Sequence, residues 1–429
     1  MKRFWLLATV LLALSASEPA AAEQRFIVRS TLGLPSLQQF CLLHSCSVVR
    51  GLDGTLNELF LVTTSDLINP NLFLGTLRLV PGVVDAELDQ VLTIGSGLVA
   101  VKNIPVELSQ NTPITYYGSQ VWYGYVNQPP AQIVRVTDAQ QGFRVSGSGI
   151  VADIDTGVDP NHPALAGVLL PGYDFTRNQP GGSELLDWPY PSPPPCPNCQ
   201  PAVVNQSSAA ILDQSSAAIL DGTPYAAFGH GTMVVGVIHL VAPTAQIMPL
   251  KSFHADGAGY LSDILRAVYY AVQNHANIIN MSFDFTSSSQ EMATAMGYAN
   301  QSNVICVASA GNDGQQKVVY PAGIANVMGV ASTSDIDTRS TFSNYGSDVW
   351  VAAPGEAIVS TYPFGTYSAN WGTSFSAPFV SGGAALVLNL SPSITPSGAA
   401  NSIAHAKRIT PDLGNGRLDL YSALSSLQQ

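Results

Sequence analysis

The sequence predicts an α/β protein, a doubly wound and mostly parallel sheet flanked by helices, with a small α+β unit in front of it. Three observations carry this. Beyond about residue 132, long apolar strands such as Val151-Ala152-Asp153-Ile154 alternate with helical segments, the pattern of a sheet covered on both faces. Between residues 24 and 94, short β-branched runs (25–29, 59–63) alternate with helix-like segments such as 36–42, and a last strand is expected at 83–89. Finally, the 429 residues are 46% hydrophobic and 11% charged, with 37 Gly and 29 Pro, which excludes a disordered polyelectrolyte, a coiled coil and a collagen. The length suits about two or three folded units.

The first element is an address. Lys2 and Arg3 precede a largely apolar run over 4–14, and Ala20-Ala21-Ala22 offers small residues to a signal peptidase, so 1–22 reads as a removed secretion signal. The apolar run is too short to span a bilayer. Export places the protein outside the cell or in a periplasm, in an oxidising setting. With 17 basic and 29 acidic residues the net charge is −12, and no basic cluster offers phosphates a landing surface, so neither nucleic acid nor, after signal removal, a membrane is an expected partner. Five cysteines leave at least one unpaired. Cys306 reads as a buried small hydrophobe, and Cys196 and Cys199 as a local disulfide rather than a zinc site.

Residues 176–226 interrupt the strand and helix alternation with a Pro-rich stretch and a perfect tandem octapeptide, 206–213 repeated at 214–221, and read as a surface insertion. Around it lie three motifs. Asp153-Ile154-Asp155-Thr156-Gly157 ends a buried strand in a turn, putting Asp155 at the carboxyl edge of a parallel sheet, where ligands bind. Gly229-His230-Gly231-Thr232 opens an apolar helix. Gly372-Thr373-Ser374-Phe375-Ser376-Ala377-Pro378 opens another, with Ser374 at its N-terminus and Pro378 read as a first-turn proline.

Each motif alone is weak; in the order Asp, His, Ser they resemble the subtilisin family of serine endopeptidases, from about residue 134 to 424. The likeness extends to Val241-Ala242-Pro243, Ala255-Asp256-Gly257-Ala258-Gly259, Asn280-Met281-Ser282, Ala310-Gly311-Asn312, Ala353-Pro354-Gly355 and Gly414-Asn415-Gly416. It implies Ser374 as nucleophile, His230 as general base and then acid, Asp155 as the carboxylate that orients the imidazole, and Asn312 as oxyanion donor beside the Ser374 N–H. A serine hydroxyl needs a base near its working pH to attack an amide, and the base needs a fixed tautomer. The resemblance also implies that an extended peptide is received by Gly257-Ala258-Gly259 and by Ser282-Phe283-Asp284, with Ser309-Ala310-Gly311 as the other wall of the specificity pocket.

Two positions depart from the family pattern. Where Gly-Gly is usual the chain has Asp284-Phe285, so Asp284 either narrows the pocket or favours basic side chains. Asp153 shares a strand face with Asp155 and needs a hydrogen-bonding partner or some water. Ser376 is expected to serve as a local cap.

The family likeness implies the division 1–22 signal peptide, 23–96 inhibitory ferredoxin-like prodomain, 97–132 linker and processing region, and 133–429 catalytic domain carrying insertion 176–226. The prodomain's tail is expected to lie product-like in the cleft until the enzyme cuts it. No cofactor is needed for the chemistry; structural calcium is an expectation of the family, without an EF-hand-type loop to hold it and with its ligands unknown. The expected partners are polypeptide substrates and the chain's own prodomain, in a monomer. The competing reading is a catalytically silent peptide-binding module of the same fold.

Overall fold

The computed structural model describes residues 23–65, 67–94, 104–188 and 225–428. The expected signal segment, the Cys196 and Cys199 pair and the tandem octapeptide lie outside the described residues.

The N-terminal unit is ferredoxin-like. Its antiparallel sheet has the spatial order Cys46–Gly51, Leu59–Ser65, Glu23–Ser30, Val83–Leu88, and helices Leu34–His44 and Pro70–Leu77 connect its strands. Pro70 starts its helix where a missing N–H costs nothing, and Asn69 accepts from the amides of Asn71 and Leu72. Alternation along the strands gives the sheet two buried faces. Phe26, Val28, Phe60 and Val62 pack on helix residues Leu37, Phe40, Phe73 and Leu77, whereas Ile27, Leu59 and Leu61 join the core of the larger unit. Cys41 and Cys46 form a disulfide within this unit; Cys306 is free and buried, as its apolar setting predicts.

The larger unit is built on an eight-stranded sheet in the order Gln179–Pro180, Tyr173–Asp174, Gln246–Lys251, Ile150–Asp155, Ile278–Met281, Ile305–Ser309, Val327–Thr333, Val349–Pro354, parallel throughout except for its first pair. After Ile150–Asp155 the chain adds its next long strand, Gln246–Lys251, on one side and Ile278–Met281 on the other. The order therefore reverses at Ile150–Asp155, and a crevice opens at its carboxyl end.

Val151, Ile278, Val307 and Val330 face helices His230–Val241 and Thr373–Leu390; Ala152, Ile154, Ile279 and Met281 face helices Leu261–Gln273 and Gln290–Gln301. Thr373–Leu390 is apolar all round because it lies inside. Among the described residues it is the one helix long and apolar enough to cross a bilayer, yet 89% of its 18-residue window is buried in the fold.

Two expected boundaries move. Residues 104–132 belong to the catalytic core rather than to a linker. Leu108, Val121 and Tyr125 are buried in it, and the Tyr125 hydroxyl donates to Gly236 O at 2.6 Å. Within the stretch read as an insertion, residues 176–188 are likewise part of the fold. Gln179–Pro180 pairs with the sheet, and Glu184 and Trp188 are buried. In the first stretch tyrosine hydroxyls bond main-chain carbonyls inside the fold, and in the second Glu184 and Asp187 bond amides, hydroxyls and Lys251, which composition alone does not reveal.

Candidate active site

Asp155 ends the strand at the crevice and His230 is the first residue of its helix; both are buried. His230 Nδ1 lies 2.7 Å from Asp155 Oδ1 and 2.9 Å from Oδ2. Thr156 N also donates to Asp155 Oδ1 at 2.6 Å. A carboxylate so fixed holds the imidazole with Nδ1 protonated and Nε2 free to accept. Gly231 allows the approach: a Cβ there would lie 2.1 Å from Gly157 O.

Ser374 occupies the second position of its helix, where main-chain N–H groups have no intrahelical acceptor. Its hydroxyl donates to Ser282 O at 3.0 Å, and the Ser282 hydroxyl donates back to Ser374 O at 2.8 Å. That carbonyl is available because its helical partner four residues on is Pro378, which has no N–H. Pro378 is thus the sixth helical residue rather than a first-turn proline. The rings of His230 and Phe375 are 5.5 Å apart, which puts the histidine beside Ser374, and no described hydrogen bond joins the two side chains.

Asn312 Oδ1 accepts from Thr373 N at 2.9 Å and from Thr373 Oγ1 at 3.0 Å, which fixes the carboxamide and leaves its NH2 as a donor next to the helix start. Ser376 is not a local cap: its hydroxyl reaches Pro354 O at 3.2 Å.

Asp153 finds the partner its burial demands. Its Oδ1 accepts from Asn280 Nδ2 at 2.9 Å, and Asn280 is held in turn by the Ser381 hydroxyl at 2.7 Å. Among the described residues its Oδ2 has no hydrogen-bond partner. Burial and then the Asp155 carboxylate push the Asp153 pKa well above the ordinary range.

On the substrate side, Ala258–Tyr260 pairs antiparallel with the chain's own Val91–Thr93, and Ile94 N donates to Gly257 O at 2.9 Å. Leu92 and Ile94 are buried by this contact. Ser282-Phe283-Asp284, the other expected receiving segment, pairs with no strand here. It adjoins Ser309, whose hydroxyl donates to Phe283 O at 3.2 Å. The Asp284 carboxylate is buried against the Ala310-Gly311 wall: a Cβ on Gly311 would sit 3.1 Å from its Oδ2. It makes no described hydrogen bond, and burial, with the Asp313 charge adding, pushes its pKa up to about 7.

Sequence reasoning missed Glu184. It is buried, it accepts from Gly229 N at 2.7 Å, Thr156 Oγ1 at 3.2 Å, Thr232 N at 3.3 Å and the Thr232 hydroxyl, and it therefore touches both sides of the histidine's helix start. Burial pushes its pKa up to about 8, against the pull of these donors and of Lys251. The one available signal was an acidic pair, Glu184 and Asp187, in an otherwise uncharged run; Asp187 accepts from the buried Lys251 at 2.6 Å. Among the described residues no group of three or more His, Cys, Asp or Glu side chains could hold a metal ion.

This fold and cluster define a hydrolytic enzyme class. Residues 147–420 match the Subtilase family, and the chain belongs to that family: it is a subtilisin-like serine endopeptidase. It is 32% identical to thermitase of Thermoactinomyces vulgaris over 327 residues, covering 73% of this chain and 99% of the relative. It is 36% identical to subtilisin BL of Lederbergia lenta over 199 residues, covering 44% of this chain and 73% of the relative. A crystal structure of a lanthipeptide protease superposes with a TM-score of 0.55 at 22% identity, covering 70% of this chain and 95% of the other, which supports the fold.

Proposed function

We propose that the protein is an exported endopeptidase, made as an autoprocessed zymogen, in which Ser374 attacks the peptide carbonyl, His230 moves the proton and Asp155 supports the imidazolium. The observation that carries this reading is the buried Asp155 and His230 pair facing a helix start that bears Ser374 and is anchored by Asn312. Ser374 turns its hydroxyl from Ser282 O to His230 Nε2 as substrate enters. His230 takes the proton, the tetrahedral oxyanion is held by Asn312 Nδ2 and Ser374 N, and the amine leaves with the proton returned by His230. Water then repeats the sequence on the acyl-enzyme. The steps need only side chains and main-chain amides.

A serine-directed fluorophosphonate is expected to label the wild type and not Ser374→Ala. Equal labelling of both rejects the assignment, and no labelling of the processed wild type favours the silent peptide-binding reading.

Residues 23–94 act as the inhibitory prodomain. Their tail occupies Ala258–Tyr260 as an added strand, which is the mode proposed for substrate. Because Ile94 is still in that contact and residues from 104 on belong to the catalytic core, the processing cut falls between them. Intact mass of the matured protein is expected to give an N-terminus within residues 95–104; one near 132 would mean loss of buried Leu108, Val121 and Tyr125 and would refute the placement.

Asp284 narrows the specificity pocket. Asp284→Gly is expected to raise kcat/KM for Leu over Ala at the cleaved position by about 10- to 100-fold, the range for a few methylenes in a pocket. A wild-type preference for Arg that the variant loses would instead mean that the carboxylate recruits cations.

A further inference from the structure

The segment 183–187 forms a strap over the turn that follows Asp155. Glu184–Asp187 is a single 3-10 turn capped by the Ser183 hydroxyl. Its main chain is tied to the strand end: Val158 N donates to Gly182 O at 2.8 Å and Glu184 N to Val158 O at 3.3 Å. A Cβ on Gly157 would lie 2.9 Å from Glu184 N, so the two stretches touch with no side chain between them.

Two main-chain amides and two hydroxyls converge on the Glu184 carboxyl. Thr156 Oγ1 accepts from Gly231 N at 3.0 Å, so its own proton goes to Glu184. Thr232 Oγ1 accepts from Asp159 N at 2.8 Å, so its proton also goes to Glu184. The amides of Gly229 and Thr232 supply two more donors. Four donors face the group, an arrangement that matches the acceptor oxygens of a carboxylate and works against the upward push of burial.

His230 stands between Gly229 and Gly231, two residues with no side chain to fix their own backbone. The amide on one side of it is held by Glu184 directly, and the amide on the other by Thr156, which donates to Glu184 and whose N–H donates to Asp155.

We propose that Glu184 is a positioning residue for the general base: it binds the histidine's helix start and the turn after Asp155 into one unit and so sets the geometry of the His230 and Asp155 pair toward Ser374. This rests on the reading of His230 as general base. Glutamine keeps the size of the side chain but puts an NH2 where an oxygen stood, and since Gly229 N faces one carboxyl oxygen and Thr232 N the other, either orientation sets that NH2 against a main-chain N–H that cannot accept, so the helix start is expected to shift. A displacement of about 1 Å at a catalytic group costs on the order of 10²-fold in turnover.

The test measures kcat and KM separately on a short peptide amide. Glu184→Gln is expected to lower kcat by about 10²-fold with KM within about twofold, because the peptide-receiving strand is untouched. Thr156→Val, which removes one link of the same unit, is expected to lower kcat in the same sense by about tenfold and covers the case in which Glu184→Gln does not fold. Ser183→Ala loosens the strap's own cap and is expected to lower Tm while leaving kcat at the wild-type value.

Unchanged kcat in folded Glu184→Gln or in Thr156→Val overturns the proposal, as does a kcat loss in Ser183→Ala equal to that of Glu184→Gln, which would make the effect one of general stability. His230→Ala separates the two readings: if it abolishes turnover while Glu184→Gln does not change it, the positioning role fails and the general base stands; if it leaves turnover intact, the assignment of the base fails.

Discussion

Ser374→Ala is expected to lower kcat by about 10⁶-fold, a size measured on subtilisin, a member of the same family, and here borrowed from it. The same substitution is expected to leave residues 23–94 attached. The tail is already laid along Ala258–Tyr260, with Leu92 and Ile94 buried, so what the substituted protein lacks is the attacking hydroxyl and not the approach. Gel mobility and intact mass of Ser374→Ala expressed without other proteases check this. A normally trimmed product would show that another hand makes the cut. The alanine also removes the bond to Ser282 O, while the reverse bond from the Ser282 hydroxyl to the main-chain carbonyl remains and keeps the helix start in place.

After cleavage, the grip of the N-terminal unit is expected to weaken as pH rises. Its carboxylates plug helix ends on the catalytic unit. Asp89 accepts from Ser262 N and Oγ, both at 2.8 Å, at the start of Leu261–Gln273; Glu87 accepts from Ser289 Oγ at 2.6 Å and Gln290 N at 3.2 Å at the start of Gln290–Gln301. Arg29 binds Glu291, with its closest contact at 2.6 Å, and also Tyr269.

Around Glu87 the acidic groups Asp85 and Glu291 outnumber that arginine. Burial first, against the Ser289 hydrogen bond and with the neighbouring charges adding, pushes Glu87 from 4.5 up to about 7. Burial likewise raises Glu291 and Asp89 against their arginines. A carboxyl whose pKa is raised on docking favours the docked state below its ordinary pKa. That advantage falls about tenfold per pH unit from 4.5 to 7 and is gone above, a total on the order of 10²-fold from Glu87 alone. Dissociation of the cut unit, followed by size-exclusion chromatography at pH 5 and pH 8, checks the sign. Glu87→Gln should flatten the dependence, and tighter association at pH 8 would contradict it.

The parts of this molecule legible in its sequence are those whose cause is local. The strand through Val151 and Ile154 announces itself by apolar content, the histidine and serine helices by glycine before and an apolar run after, and the N-terminal unit by its alternating periods. The carboxyl edge of Ile150–Asp155 followed from strand logic; His230 bonds Asp155 there, and Asn312 bonds Thr373, the residue before Ser374.

What stayed hidden has its cause far along the chain. Glu184 means nothing until Gly229, 45 residues on, lies over it, and Arg29 meets Glu291 across 262 residues. The polar, aromatic stretch 97–132 read as a linker because tyrosines are equally at home on a surface; Tyr125 is buried in the core with its hydroxyl on Gly236 O, and the half-buried Tyr116 packs against it with its hydroxyl on Leu240 O. Asp153 was recognised as needing company, and only the register of Ile278–Met281 against Ile150–Asp155, with Asn280 opposite Asp153, says whose.

The proline four residues after Ser374 has one more implication. By silencing one rung of the helical ladder it hands the Ser374 carbonyl to a hydroxyl on a different element. The first turn is thereby tied to the segment after Ile278–Met281 by a pair of reciprocal bonds, one from the Ser282 hydroxyl and one from the Ser374 hydroxyl.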